Sequence, residues 1–272
     1  MASSWQKSLA QLGYTPIRLP SADFDIFTLV YEHDSRRGHD NAFHILTAGA
    51  TGTRPVPRRN IAAAMIEGTA KRIHNISIGL SILQGLLSAL GGAKMGLSIG
   101  FENASEVTFS YADVTKDIVS AVELEMFLRT AKAPDSGLLK GWLDDNLWIM
   151  TSVLKSKKIE VTAKDSHGQN LELDVPVIRD AIGGNLKVSR PSSSSTGIAF
   201  EGEVPLPFAA QVYKVRRFSG DDPDSLSLRE AKAGSVVLKS MAAKSADDMQ
   251  IADDIPLILP DVLENGIGTS EM

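Results

Sequence analysis

Five histidines, thirty-three acidic residues and one short lysine run are the groups with which this chain can do chemistry, and it contains no cysteine. Without cysteine there is no thiol nucleophile, no disulfide and no Cys-based metal site. His33-Asp34 and His39-Asp40 flank Arg36-Arg37-Gly38 in the outline of a metal loop, but no cysteine or His-x-x-x-His helix accompanies them. No metal site is expected from loop histidines of this kind. His44, His74 and His167 stand apart, and Asp144-Asp145 reads as the cap of a turn. There is no Gly-rich phosphate loop and no serine in a nucleophile-elbow motif, so no catalytic residue is assigned and an enzyme is not expected. Lys155, Lys157 and Lys158 form a basic patch, too small in a chain of pI ≈ 5.6 to make a nucleic-acid surface.

The remaining chemistry is that of surfaces and charge. The 272 residues are 43% apolar and 22% charged, which excludes a disordered chain and leaves room for one large domain or two small ones. The net charge of −5 is uneven: residues from Ser219 onward carry eleven acids against four bases, and the body before them is slightly basic. An acidic tail on a basic body points to a tail that docks on the body, or to a body built for an anionic surface. The opening Met-Ala-Ser-Ser-Trp-Gln-Lys leads into no apolar stretch of signal-peptide kind, so the expected compartment is the cytoplasm.

The segment Ile73–Ala93 contains no Asp, Glu, Lys or Arg. Ile76, Leu80, Leu83, Leu87 and Leu90 recur at helical spacing, with Ser77, Ser81, Gln84 and Ser88 on another face. A helix whose polar face is uncharged suits a protein core or a surface less polar than water. Next, Met95, Leu97, Ile99 and Phe101 alternate with polar or small residues, and after Asn103-Ala104 so do Val107, Phe109 and Tyr111. The spacing predicts a β-hairpin over Met95–Tyr111, flanked by Lys94. A half-buried sheet and a transmembrane barrel both satisfy this alternation. Its runs are slightly short of the roughly 9–11 residues of a spanning strand, so neighbouring segments would have to lengthen them in a bilayer.

A helix follows, with Thr115 as its cap, Asp117 in its first turn and Ala121, Leu124, Phe127 (or Leu128) and Ala131 along one face. Leu147–Leu154 is a continuous apolar run and marks a central strand. A second hairpin unit starts at the lysine patch: Ile159 and Val161 alternate up to the turn Asp165–Gly168, Leu171, Leu173 and Val175 alternate beyond it, and Leu186 and Val188 follow Gly183-Gly184. Ile198 and Phe200, then Phe208–Val215, complete the strands. The fold class is α+β, a twisted and mainly antiparallel sheet with helices packed on it. Residues 218–238 read as a linker and a helix within Leu226–Ala243. In the tail, Pro256 and Pro260 enforce an extended segment in which Ile255, Leu257 and Leu259, with Val262 and Leu263, form an apolar strip that must bury itself on the body.

Leu9-Ala10-Gln11-Leu12-Gly13-Tyr14 running into Ile17-Arg18-Leu19-Pro20, together with this order of elements, resembles the bacterial gasdermins. The resemblance implies a gasdermin-like pore-forming body over residues 1–238 and, over residues 239–272, a cleavable linker with an autoinhibitory peptide anchored by Ile255, Leu257, Leu259, Val262 and Leu263. It implies as partners an activating protease, caspase-like or trypsin-like, cutting near Lys239, Lys244 or Asp248, membrane lipids, and further copies of the chain. The body, cytoplasmic when intact, would then form a β-barrel in the inner membrane and kill the cell in defence against phage. The inserting residues would be Met95, Leu97, Ile99, Phe101, Val107, Phe109 and Tyr111 in one hairpin. In the other they would be Ile159, Val161, Leu171, Leu173, Leu186 and Val188, with Lys94, Lys155, Lys157 and Lys158 at lipid headgroups. No cofactor is implied apart from an N-terminal palmitate on cysteine, and here Ala2-Ser3-Ser4 stands in that region. The rival readings are a soluble α+β binding or structural protein and an enzyme with a site of unfamiliar pattern.

Overall fold

The structure, a computed structural model, describes residues 9–17, 24–33, 36–49, 52–63, 70–73, 80, 83–84, 87, 90, 100–132, 137–144, 146–182, 186–217 and 226–230. Its spine is two long strands, β8 (Asn146–Lys164) and β11 (Ile198–Arg217), paired antiparallel from Val161↔Ile198 to Leu147↔Val215. The apolar run Leu147–Leu154 is covered on both faces and is the first half of β8. The other half alternates buried Ile159, Val161 and Ala163 with half-exposed Lys158, Glu160 and Thr162, so one of its faces is wet. The sequence places a boundary at Lys155; the structure makes 146–164 one strand, because a change from two-sided to one-sided burial needs no break in the backbone. In β11 the register shifts between Glu201 and Leu206 and between Pro207 and Ala209, around Pro205 and Pro207, which have no N–H to give to the ladder.

Along its other edge β8 receives β2 (Thr28–His33), then β7 (Thr115–Ile118), then β6 (Glu106–Ala112). Strand β2 pairs with β3 (Arg36–Asn41), so His33 and His39 belong to a hairpin and not to a metal loop. Strands β4 (Arg58–Ala62) and β5 (Ala70–Ile73) pair with β7 and β6, and β9 (Asn170–Leu171) with the end of β8. The outer edge of β11 carries β1 (Thr15–Pro16), β10 (Lys187–Ser189) and β12 (Leu226–Glu230). A helix is expected within Leu226–Ala243; its described part is strand β12, since Leu226 and Leu228 face the core at period two.

The helices whose bounds fall among the described residues are α1 (Ala42–Ile45), α2 (Ala121–Thr130), α3 (Gly137–Asp144) and α4 (Val175–Ile182). Helix α2 starts later than the sequence predicts: Thr115 and Asp117 are in strand β7, and Ser120 is the cap, its Oγ accepting from Glu123 N at 3.3 Å. Val175 opens α4 and does not extend the second hairpin, which ends its pairing at Leu171. The described part of the uncharged segment behaves as the spacing predicts, with Leu80, Leu83, Gln84 and Leu87 helical, Leu83 and Leu87 buried and Gln84 exposed. Ile73 itself lies in β5.

Among the described residues, two apolar cores result. A base core gathers Ile26, Leu29, Phe127, Leu128, Ile149 and Val215 under α2 and α3, where Trp142 stacks on Tyr31 at 3.8 Å. An apex core gathers Leu83, Leu87, Phe109, Val161, Phe200 and Phe208, where Tyr111 stacks on Phe208 at 4.0 Å. Each core lies under one end of the β8–β11 pair.

Candidate membrane-inserting site

Four consecutive legs lie side by side in chain order: β4–β5, β6–β7, β8 and β11. The second leg pairs with the third in one register from Glu106↔Lys164 to Ile118↔Ser152, with no residue inserted at the kink between β6 and β7. Asp113 makes that kink in the left-handed region, φ 52°, which Asp tolerates. Because neighbours are antiparallel, the connections 74–105 and 165–197 leave from the same end of the four legs, and α2 and α3 close the opposite end. The two insertions touch: a Cβ on Gly100 would collide with Ile178 of α4. A Cβ on Gly202 would stand 2.7 Å from the carbonyl oxygen of Leu90, so the first insertion also lies against the fourth leg.

The predicted inserting residues fall mostly on this apex. Val107, Phe109, Tyr111, Ile159 and Val161 are buried on one face of the second and third legs. Leu173 and Val188 are buried, Leu171 and Leu186 half-buried, all in the apex core. Phe101 is also buried, but in a helical turn and not in a strand. The predicted partner of β6 is therefore corrected: Glu106–Ala112 pairs with Ala70–Ile73 and with β8, because a strand with two free edges takes the neighbours the sheet supplies and not the segment nearest in sequence. Lys94, Met95, Leu97 and Ile99 lie outside the described residues, as do Ile255, Leu257, Leu259, Val262 and Leu263 and the cleavage region Lys239, Lys244 and Asp248.

Of the four lysines predicted to meet headgroups, the three among the described residues are each paired. Lys157 meets Glu201 at 3.2 Å, and Lys158 meets Glu160 at 3.7 Å and Asp113 at 3.8 Å. Lys155 takes part in a deeper arrangement at the base of the legs. Asp117, its side chain 1% exposed, accepts from Lys155 Nζ at 2.6 Å, from Arg59 Nη1 at 3.0 Å and from the Asn60 amide at 2.8 Å. Asn60 reaches it from the left-handed region, φ 57°, where the β4–β7 register shifts. Arg59 forks onto Asp25 with two bonds of 2.9 Å. The Ser152 hydroxyl donates to the Asp117 carbonyl at 3.1 Å and sits 2.9 Å from the Tyr14 hydroxyl. This latch joins the N-terminal segment to the first three legs below the inserting segments. Burial by itself raises the Asp117 carboxyl, but the Lys155 and Asn60 hydrogen bonds and the charges of Lys155 and Arg59 outweigh it and hold the group below its ordinary 3.8. Sequence reading missed Asp117, Arg59 and Asp25; a run as polar as Thr115-Lys116-Asp117 carries no strand signal. Among the described residues no three His, Asp or Glu are placed to hold a metal ion, and no helix is long and apolar enough to cross a membrane.

Paired antiparallel hairpins with both insertions at one end, joined by a charge latch, define a β-rich α+β protein built on a four-leg antiparallel sheet. The sequence model of the Bacterial Gasdermin Family matches residues 17–229. Gasdermin bGSDM of a Desulfuromonadales bacterium is 35% identical over 244 residues, spanning 88% of this chain and 90% of the relative. Gasdermin bGSDM of Lysobacter enzymogenes is 31% identical over 245 residues, spanning 89% of each. The structure of a bacterial gasdermin from Bradyrhizobium tropiciagri shares the fold, with a TM-score of 0.58 at 13% identity over 88% of this chain and 94% of that one. The chain belongs to the bacterial gasdermin family, whose members form membrane pores and are not enzymes.

Proposed function

We propose that this chain is the autoinhibited precursor of a membrane pore, opened by proteolytic removal of its C-terminal segment. The observation that carries the reading is the unbroken register of the second and third legs, with both insertions at one end of the sheet. Residues 74–105 and 165–197, divided between two legs each, add about 16 residues per leg, enough for the roughly 9–11 that a tilted spanning strand needs. Extending the existing ladders converts the apolar face now buried in the apex core into a lipid-facing one. One copy supplies four strands, and lipid tolerates no open edge, so many copies must close a ring. Residues 239–272 act as the inhibitory segment, with the apolar strip Ile255–Leu263 held on the body until a caspase-like or trypsin-like protease cuts near Lys239, Lys244 or Asp248. Removal of an acidic segment leaves the body more cationic, which favours an anionic inner leaflet by about 1 kcal/mol per nearby base. Lys94, Lys155, Lys157 and Lys158 then meet headgroups, the last three after leaving their present carboxylates. Permeabilising the inner membrane kills the cell, a response suited to phage defence. Dye-loaded vesicles of phosphatidylethanolamine and phosphatidylglycerol test this: leakage is expected from the cut chain and not from the intact one. Absence of leakage from every cut form supports a soluble binding or structural protein instead.

A further inference from the structure

The two outer edges of the four-leg sheet are unlike. On the first leg, β4 and β5 have, among the described residues, only β7 and β6 as partners, and their other edge carries no strand. The outer edge of the fourth leg is covered in pieces: β10 pairs with Ala199–Glu201, β1 with Ala209–Ala210 and β12 with Tyr213–Arg217. The first and fourth legs run in opposite directions. A second copy's first leg laid along the fourth would therefore continue the antiparallel ladder, giving a head-to-tail contact of the kind that closes into rings.

Strand β12 covers the base of that edge. Its Leu226 and Leu228 reach into the base core, and α2 packs against it. The strand is five residues long, and its register sets Arg229 opposite Lys214, like charges that weaken a cross-strand pair. It ends at Glu230, and the chain continues from there into residues 231–272, which include the whole inhibitory segment.

We propose that β12 is an edge plug: it occupies the edge of β11 on which the first leg of a second copy of this chain docks, and it must peel away before the ring can grow. Loss of the tail acts through β12, which is left as a short strand with a free following end. The proposal rests on the pore-forming reading above, and adds to it the surface that assembly uses and the element that guards it.

The absence of cysteine makes a clean test. Arg216 and Ser227 are directly opposite in the β11–β12 register, so Arg216→Cys with Ser227→Cys places one possible disulfide across the plug. The full chain, carrying an introduced protease site between Lys239 and Asp248, is oxidised, added to phosphatidylethanolamine–phosphatidylglycerol vesicles and cut. The expected result is loss of dye release in the oxidised sample and full recovery after reductant. A second pair, Thr108→Cys with Thr162→Cys, spans the second and third legs, which stay paired throughout, and is expected to leak when oxidised. Equal leakage from oxidised and reduced Arg216–Ser227 protein overturns the plug. So does loss of leakage in both stapled proteins, which would assign the block to stiffening of the sheet. If the cut chain without cysteines does not leak, the pore reading fails, and the plug with it.

Discussion

Replacing Asp117 with asparagine keeps the shape of the latch and removes its charge. Deleting one partner of a fully buried ion pair costs about 3–5 kcal/mol. Here the Arg59 side chain is 45% exposed and Lys155 13% exposed, so both cations regain some water. Asparagine also retains an oxygen for the Asn60 amide. These reduce the expected penalty to about 2 kcal/mol at neutral pH. For a body of this size that is about 4–8 °C in Tm, readable by circular dichroism on the full chain. The pH dependence has a definite sign. Folding lowers the Asp117 pKa, so the unfolded chain binds more protons in that window. The contribution of the carboxylate is complete above 3.8 and is lost as pH falls through the lowered value, so wild type and Asp117→Asn should converge in acid. Freed of its partner, Lys155 should also leave the base sooner, and the cut variant should permeabilise vesicles faster than wild type. A penalty below about 0.5 kcal/mol at neutral pH, the scale of an exposed pair, would refute the reasoning. So would a penalty that persists unchanged in strong acid.

Two further outcomes test the apex. Val204 is 55% exposed in the folded chain and lies in phase with buried Ile198 and Phe200. Val204→Asp should therefore leave stability within about 0.5 kcal/mol of wild type while abolishing dye release, and normal release would count against a lipid-facing fourth leg. Gly202→Ala drives a methyl against the Leu90 carbonyl, a backbone atom that yields only if the first insertion shifts. It should lower the stability of the intact chain by about 1–3 kcal/mol and raise leakage after cutting; an unchanged Tm would show that the insertion does not rest on that leg.

By itself the sequence determined which faces are apolar. Ile159 and Val161, or Val107, Phe109 and Tyr111, announce a one-faced strand because side-chain direction alternates residue by residue, and Leu80, Leu83 and Leu87 announce a helix face for the same local reason. It also marked the unbroken run of the central strand and the acidity of the tail. Only the tertiary structure decided which strands are neighbours: Glu106–Ala112 turned to Ala70–Ile73 and to β8, not to the segment just before it. Period two specifies a face and leaves the partner open, since backbone hydrogen bonds are the same whatever the side chains. The latch was hidden for a related reason. Asp25, Arg59, Asp117 and Lys155 are far apart in the chain, each alone looks like a solvated charge, and only the crossing of three legs buries Asp117 and brings the others within hydrogen-bond distance of it or of Arg59.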